Sequence, residues 1–158
     1  MTVEELNKMS AIDATAALKG CCGSSRWVDA MLAHRPFASS DDALAAGDDE
    51  WSQCEPEDWY EAFSHHPRIG AQVSGKEAKE QAGAQSVPSS VRQQLDDVNR
   101  RYEEKFGHIY IVFATGKTAE EMLDIAKARL GNDPKTELRN AAEEQRKIMQ
   151  LRLRRLLS

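Results

Sequence analysis

Two adjacent histidines followed by a proline are the residues of this chain best suited to acid–base chemistry. They lie in the segment SHHPRIG, residues 64–70, where a predicted helix ends. Pro67 restricts the backbone of His66, and an imidazole that titrates near neutral pH suits a general acid or base. Exposed histidines are also common at helix C-termini, where the helix dipole favours cations. The spacing alone leaves both interpretations open.

A charged segment with the sequence KEAKEQAG follows at residues 76–83. Alternating charges of this kind are typical of a solvated helix face. The alternative is that Glu77 or Glu80 partners His66 as the second member of an acid–base pair. The charge pattern does not decide between the two interpretations.

An arginine lies on the apolar face of the predicted final helix, which begins at Asp133-Pro134 and runs nearly to the end of the chain. At about 100° per residue, one face of this helix carries Leu138, Ala142, Gln145, Met149 and Leu156. Arg152 falls within that face, whereas Arg154 points to the opposite side. Because an unpaired guanidinium is costly in an apolar setting, Arg152 must meet an acidic side chain, reach water, or bind an anionic or carbonyl-rich ligand.

Helix signals recur along the rest of the chain, and strand signals are almost absent. Capping residues and first-turn prolines predict helices that begin near Thr2, Ser10, Ser24, Ser40, Pro56, Pro88, Thr118 and Asp133. The fourth of these is predicted to end at about Gly47. The apolar segment HIYIVFA, residues 108–114, resembles a strand but has no second strand to pair with. It is predicted to be the buried start of a helix or an extended core segment.

These signals together predict an all-α fold. We expect a single compact helical domain over residues 1–158, with about seven to nine helices and a long C-terminal helix. A chain of this length can bury a core and enclose a small ligand.

The composition excludes several classes of partner. The net charge of −5 argues against a nucleic acid held through phosphate contacts. The chain shows neither an apolar run long enough for a membrane span nor a signal-peptide pattern at its start, so we expect no membrane partner and a cytoplasmic location. Cys21 and Cys22 are adjacent and Cys54 is isolated, so we predict free thiols, with no disulfide framework and no metal site.

Four motifs, in this order, resemble the family of decarboxylases that act on 2-oxo-4-hydroxy-4-carboxy-5-ureidoimidazoline (OHCU). They read HPRIG at residues 66–70, EQAG at 80–83, YEEKFGHIYIVFATG at 102–116, and RLGNDPKTELRNAAEEQRKIMQLRLRRLL at 129–157. The resemblance runs from about Phe63 to the C-terminus. Before Phe63 the chain resembles the family's N-terminal helices more loosely.

The resemblance implies an all-α homodimer that decarboxylates OHCU to (S)-allantoin, after the oxidation of uric acid and the hydrolysis of its ring. The partner is therefore a small ureide substrate. No cofactor is implied, because the substrate carries its own electron sink, a ring C=N beside the carboxyl-bearing carbon. Two alternatives stay open, namely a hydrolase or isomerase of a related ureide, and a non-catalytic helical interaction module.

The resemblance also assigns the site residues. The catalytic residues are His66, the histidine of the HP pair, and Glu80, the glutamate of EQ. The substrate-binding positions line the pocket, cradle the ring with backbone atoms or lie in the final helix, and they are Pro67, Glu77, Gln81, Tyr110, Val112, Phe113, Ala114 and Arg152. The chain departs from the family at Glu77, where relatives commonly have serine. It also departs at His108, where an aromatic or apolar residue is usual and we expect only local variation.

Overall fold

Helices dominate the computed structural model, which describes residues 1–70 and 88–158. Eight α-helices lie in this part of the chain: α1 (Val3–Lys8), α2 (Ala11–Lys19), α3 (Ser25–His34), α4 (Ser40–Ser52), α5 (Pro56–Phe63), α6 (Ser89–Phe106), α7 (Ala119–Arg129) and α8 (Pro134–Leu156). Among these described residues there is no strand. The prediction of an all-α fold with a long C-terminal helix is therefore confirmed.

The predicted capping residues begin most of these helices. Backbone N–H groups three residues further along donate hydrogen bonds to the side chains of Thr2, Ser10, Ser24 and Thr118. Helix α6 ends at Phe106 and is capped by Gly107, whose φ of 80° lies in the left-handed region that favours glycine. The first N–H groups of a helix have no partner within it, so these side chains determine where the helices start.

Helix α4 continues to Ser52, beyond its predicted end at Gly47. Gly47 is buried on a packed face: a Cβ at this position would lie 3.1 Å from Met149 Sδ and 3.2 Å from Leu153 Cδ2. Its carbonyl oxygen accepts a hydrogen bond from Trp27 Nε1 at 3.0 Å. The predicted boundary is wrong because this glycine permits close packing against α8 and does not end the helix.

The apolar segment at residues 108–114 connects α6 to α7 without entering a helix or a strand. Tyr110, Val112 and Ala114 are buried in it. The predicted extended core segment is confirmed. The alternative, the start of a helix, is wrong because the capping box at Thr118 begins α7 only after this segment has ended.

The chain divides into two compact units. The first comprises Met1–His65 and Gln145–Ser158, and its fully buried side chains include Leu6, Trp27, Met31, Phe63 and Met149. The second comprises His66–Glu144, with a core cluster that includes Leu95, Tyr102, Tyr110 and Met122. A single domain over residues 1–158 stays a prediction. Within the described ranges, no helix is both long and apolar enough to cross a membrane.

Candidate functional site

His66, the predicted catalytic histidine, follows the C-terminal end of α5 and is half-buried, as is Pro67. Helix α5 ends at Phe63, and the Ser64 hydroxyl donates a hydrogen bond to the Glu61 carbonyl at 2.6 Å. The chain leaves the helix in this turn, as the SHHPRIG motif predicts. A half-buried imidazole is partly accessible, which a general acid or base requires.

His65 is exposed and belongs to the first unit, whereas His66 belongs to the second. The ring of His65 packs closely on Gly23: a Cβ at position 23 would lie 2.4 Å from His65 Cδ2. Hydrogen bonds from Ser25 lower the pKa of Glu61, and the electrostatic effect of the neighbouring His65 acts in the same direction. These contacts give His65 a packing role that differs from the chemistry predicted for His66.

The residues after His66 are anchored on α6 within the second unit. Arg68 donates two hydrogen bonds to the Glu103 carboxylate, from Nε and Nη2, each at 2.8 Å. The buried Asn99 donates from Nδ2 to the Ile69 carbonyl at 3.0 Å. Gly70 follows with a φ of 91°, a conformation that a residue with a side chain rarely adopts. The backbone beyond His66 is therefore held by side chains of a long helix.

The extended segment, residues 110–114, contains four of the predicted substrate-binding positions. Its Tyr110, Val112 and Ala114 are buried in the same core cluster as Ile69. The structure therefore brings this segment together with the residues that follow His66. The Tyr110 hydroxyl donates to the Met122 carbonyl at 2.8 Å, and burial raises the pKa of this phenol. Because the Tyr110 hydroxyl is hydrogen-bonded within the core, we expect the backbone of this segment, and not the Tyr110 side chain, to contact a substrate ring.

A buried ion pair between Arg129 and Glu137 lies beside this segment, and neither residue is among the predicted site residues. Arg129 is 8% exposed and Glu137 is 0% exposed. Arg129 Nε lies 2.6 Å from Glu137 Oε1, and Arg129 Nη1 donates to the Ile111 carbonyl at 2.7 Å. Burial by itself would raise the pKa of Glu137, but hydrogen bonds from Arg129 and Tyr102 outweigh it, so the pKa is lowered. The carboxylate therefore stays ionised in the core.

His108 is buried in the same core, where only local variation was expected. Its ring lies edge-on to Tyr102, with 5.5 Å between centroids, and is stacked on Phe106 at 6.3 Å. Burial lowers its pKa. The neutral imidazole therefore packs among aromatic rings, at a position where the resemblance implies an aromatic or apolar residue.

Arg152 lies in the first unit, half-buried on the face of α8 that also carries the buried Gln145 and Met149, while Arg154 is exposed. This is the orientation that the helical periodicity predicts. The charge of Arg152 acts on Cys22, although burial dominates and raises the pKa of that thiol to about 12. A role for Arg152 in substrate binding stays a prediction.

Three predicted site residues, Glu77, Glu80 and Gln81, lie outside the described residues. The same holds for the whole EQAG motif and for the charged segment around it. Their assignment continues to rest on the resemblance alone.

A surface cavity of about 540 Å³ lies along α6, and its lining residues are Arg68, Asp96, Asn99, Arg100, Glu103 and Glu104. None of these is a predicted site residue. Its arginines are already paired, Arg68 with Glu103 and Arg100 with Asp97 and Glu104. Because Asp96 also lines the cavity, its carboxylates outnumber its arginines, and the cavity does not favour an anionic substrate.

Comparisons with known proteins agree with the motifs. A model of the OHCU decarboxylase family matches residues 7–154. The chain is 39% identical over 149 residues to the uric acid degradation bifunctional protein TTL of Arabidopsis thaliana, an alignment that covers 89% of this chain and 46% of the relative. It is 30% identical over 139 residues to the 2-oxo-4-hydroxy-4-carboxy-5-ureidoimidazoline decarboxylase of Amia calva, covering 81% of this chain and 78% of the relative. The chain spans less than half the length of the bifunctional relatives that it matches.

The fold is also similar to a solved structure. A crystal structure of an OHCU decarboxylase in the presence of (S)-allantoin matches with a TM-score of 0.80 and 38% sequence identity. The match covers 88% of this chain and 95% of that one. The similarity therefore extends over nearly the whole of the solved protein.

Proposed function

The chain belongs to the OHCU decarboxylase family, and we propose that it removes carbon dioxide from OHCU to give (S)-allantoin in the degradation of uric acid. The family match over residues 7–154 carries this proposal, because it includes His66, Pro67, the extended segment and Arg152. The crystal structure of the similar protein was determined in the presence of (S)-allantoin, the product proposed here.

The proposed reaction needs few protein groups. The bond between the hydroxyl-bearing ring carbon and the carboxylate breaks and carbon dioxide leaves. The electron pair forms a double bond to the neighbouring ureido-bearing carbon, and the electrons of its C=N move to the nitrogen, which takes up a proton. A proton then adds to one face of the ureido-bearing carbon while the hydroxyl loses its proton and becomes the ring carbonyl. Enzymes often supply a cofactor or metal as the electron sink, but this substrate contains one. The protein must orient the carboxylate out of the ring plane, stabilise the developing charge and deliver the proton.

We assign His66 as the acid–base residue that stabilises or protonates the intermediate, and the backbone of the extended segment as the cradle of the ring. Glu80 would orient the substrate hydroxyl or ureido group. Arg152 would position the ring and its oxygens. A tight grip by Arg152 on the departing carboxylate would oppose catalysis, because only interactions that strengthen in the transition state accelerate the step. On the same resemblance, we propose a cytoplasmic homodimer.

An assay of the purified protein with freshly generated OHCU as substrate tests the proposal. The purified protein should accelerate both carbon dioxide release and the appearance of (S)-allantoin, followed by its optical activity. Consumption of OHCU without carbon dioxide release would identify a hydrolase or isomerase instead. A rate equal to that of the uncatalysed reaction would leave only a helical interaction module.

We expect no requirement for an added metal or cofactor. The reasons are the electron sink within the substrate and the absence of metal-ligand spacing among the cysteines and histidines of the sequence. Exhaustive dialysis against a chelator should leave the rate of (S)-allantoin formation unchanged. A clear loss of activity that zinc or manganese restores would contradict this expectation.

Arg152→Lys should lower kcat/KM by at least about tenfold, roughly 1.4 kcal/mol of transition-state stabilisation. Lysine keeps the positive charge but loses the planar fork that holds several oxygens at fixed geometry. Arg154→Lys is the matched control, since Arg154 is exposed on the same helix, and it should be nearly silent in steady-state kinetics. Equal, small effects would remove Arg152 from the site. A large drop in Tm without a kinetic change would identify an internal salt bridge.

A further inference from the structure

We propose that Arg129 and Glu137 form a positioning pair for the reaction, acting through the backbone of the extended segment. This inference rests on the proposed function, which assigns the substrate ring to that backbone. The pair lies in the second unit together with the segment. Its role would be to fix the Ile111 carbonyl, and through it the neighbouring peptide groups, at one position in the core.

The extended segment needs such partners because it lies in neither a helix nor a strand. Buried backbone groups outside regular structure must find hydrogen-bond partners elsewhere. Arg129 Nη1 donates to the Ile111 carbonyl at 2.7 Å. Two further charged side chains bond to Phe113: Glu144 Oε1 accepts from its N–H at 3.1 Å, and Lys117 Nζ donates to its carbonyl at 2.7 Å. Charged side chains thus supply hydrogen bonds to this segment of the kind that a neighbouring strand supplies in a sheet.

The guanidinium of Arg129 is fixed in orientation as well as in position. Its Nε and Nη1 donate in different directions, to Glu137 and to the Ile111 carbonyl. The aromatic rings of Tyr110 and Tyr102 lie against it, with centroids 5.0 Å and 5.8 Å from its Cζ. A planar cation held by hydrogen bonds and by aromatic rings has little freedom to rotate.

Glu137 is equally constrained. The Tyr102 hydroxyl donates to its Oε1 at 2.5 Å, and Asn132 and Asn140 donate to Oε2 at 3.0 Å and 3.2 Å. Four residues therefore hold this carboxylate, which in turn orients Arg129. Apolar side chains of similar volume often stabilise a core as well as a buried ion pair does. Stability alone therefore does not explain why this core contains a charged network. What apolar residues cannot supply is a donor for the Ile111 carbonyl.

Arg129→Lys is the first test. A lysine ammonium keeps the charge opposite Glu137 but cannot reproduce the fork that also reaches Ile111. We expect kcat/KM for OHCU to fall by at least about tenfold. We also expect the Phe113 amide, which bonds to Glu144, to exchange with solvent at least about tenfold faster. The Met122 amide in α7, which bonds to the Thr118 carbonyl, should keep its exchange rate, so that loosening of the segment is distinguished from global destabilisation.

The double variant Arg129→Met/Glu137→Leu separates positioning from stability. Replacing the whole pair by apolar side chains leaves no buried charge unpaired, but it removes these hydrogen-bond partners of the Tyr102 hydroxyl and the Ile111 carbonyl. The protein should therefore stay folded, with a Tm below that of the parent but above that of a variant that lacks Glu137 alone. Its kcat/KM should remain at least about tenfold below the parent value, and its Phe113 amide should still exchange at least about tenfold faster. Leu95→Ala, which removes buried carbon atoms from the same core cluster and no hydrogen bond, is the control. It should lower Tm and leave kcat/KM of the folded protein close to that of the parent.

Normal kcat/KM and a normal Phe113 exchange rate in either Arg129 variant would overturn the inference. So would a double variant that recovers activity together with stability. If the parent protein does not act on OHCU, the proposed function fails, and the amide-exchange measurement still decides whether this pair fixes the segment.

Discussion

His66→Ala should abolish the acceleration of OHCU decay while leaving the far-UV circular dichroism spectrum unchanged. The imidazole is the proposed acid–base group, and residues of this kind typically contribute on the order of 100-fold or more to a rate. The side chain lies just after the end of α5 and is only half-buried, so its removal should leave folding intact. The measurement is the rate of (S)-allantoin appearance, with the spectrum recorded on the same sample.

His65→Ala is the matched control, because the two histidines are neighbours of identical chemistry. His65 packs on Gly23, so its loss should cost some stability and have little effect on the rate of the folded protein. More than about a tenth of the parent activity in His66→Ala would remove this histidine from the mechanism. An equal loss of activity in both variants would show that the motif matters for structure and not for proton transfer.

Glu137→Ala should lower the free energy of unfolding by about 3–5 kcal/mol. The substitution leaves the Arg129 guanidinium buried without its carboxylate, and it also removes the acceptor of the hydrogen bonds from Tyr102 and Asn132. Breaking one side of a buried pair costs far more than the pair contributes over an apolar replacement. Urea unfolding followed by far-UV circular dichroism measures the loss.

Glu103→Ala provides the comparison, because it also removes a carboxylate bonded to an arginine. Arg68 is largely exposed in that pair, so solvent screens the interaction and its loss should be small. Similar losses of stability in the two variants would mean that burial of Arg129 and Glu137 is not what makes their pairing important.

The sequence predicts the helices well where local signals suffice. Thr2, Ser10 and Thr118 cap helices as expected, since a capping side chain acts on N–H groups within three residues. The end of α4 is predicted wrongly, because the packing of Gly47 against Met149 depends on a residue about a hundred positions away. No local pattern contains that information.

The same contrast applies to the candidate site. The placement of Arg152 on the inner face of α8 follows from helical periodicity, which needs only one element. The pairing of Arg129 with Glu137 spans the junction between α7 and α8, where neither helix has a periodicity that relates the two residues. The motif RLGNDPKTEL contains both, so a signal was present. The motif alone does not show that Arg129 also bonds to the Ile111 carbonyl, because only the folded chain brings these two groups together.

The division of the core has an optical consequence. All three tryptophans, Trp27, Trp51 and Trp59, lie in the first unit, whereas Tyr102 and Tyr110 lie in the second. Emission excited selectively at tryptophan therefore originates in the first unit, and absorbance of the buried phenols of Tyr102 and Tyr110 originates in the second. If the chain is one cooperative domain, the two signals change together on heating. An experimenter who follows tryptophan emission by itself has no emitting residue within the unit that contains Arg129 and Glu137.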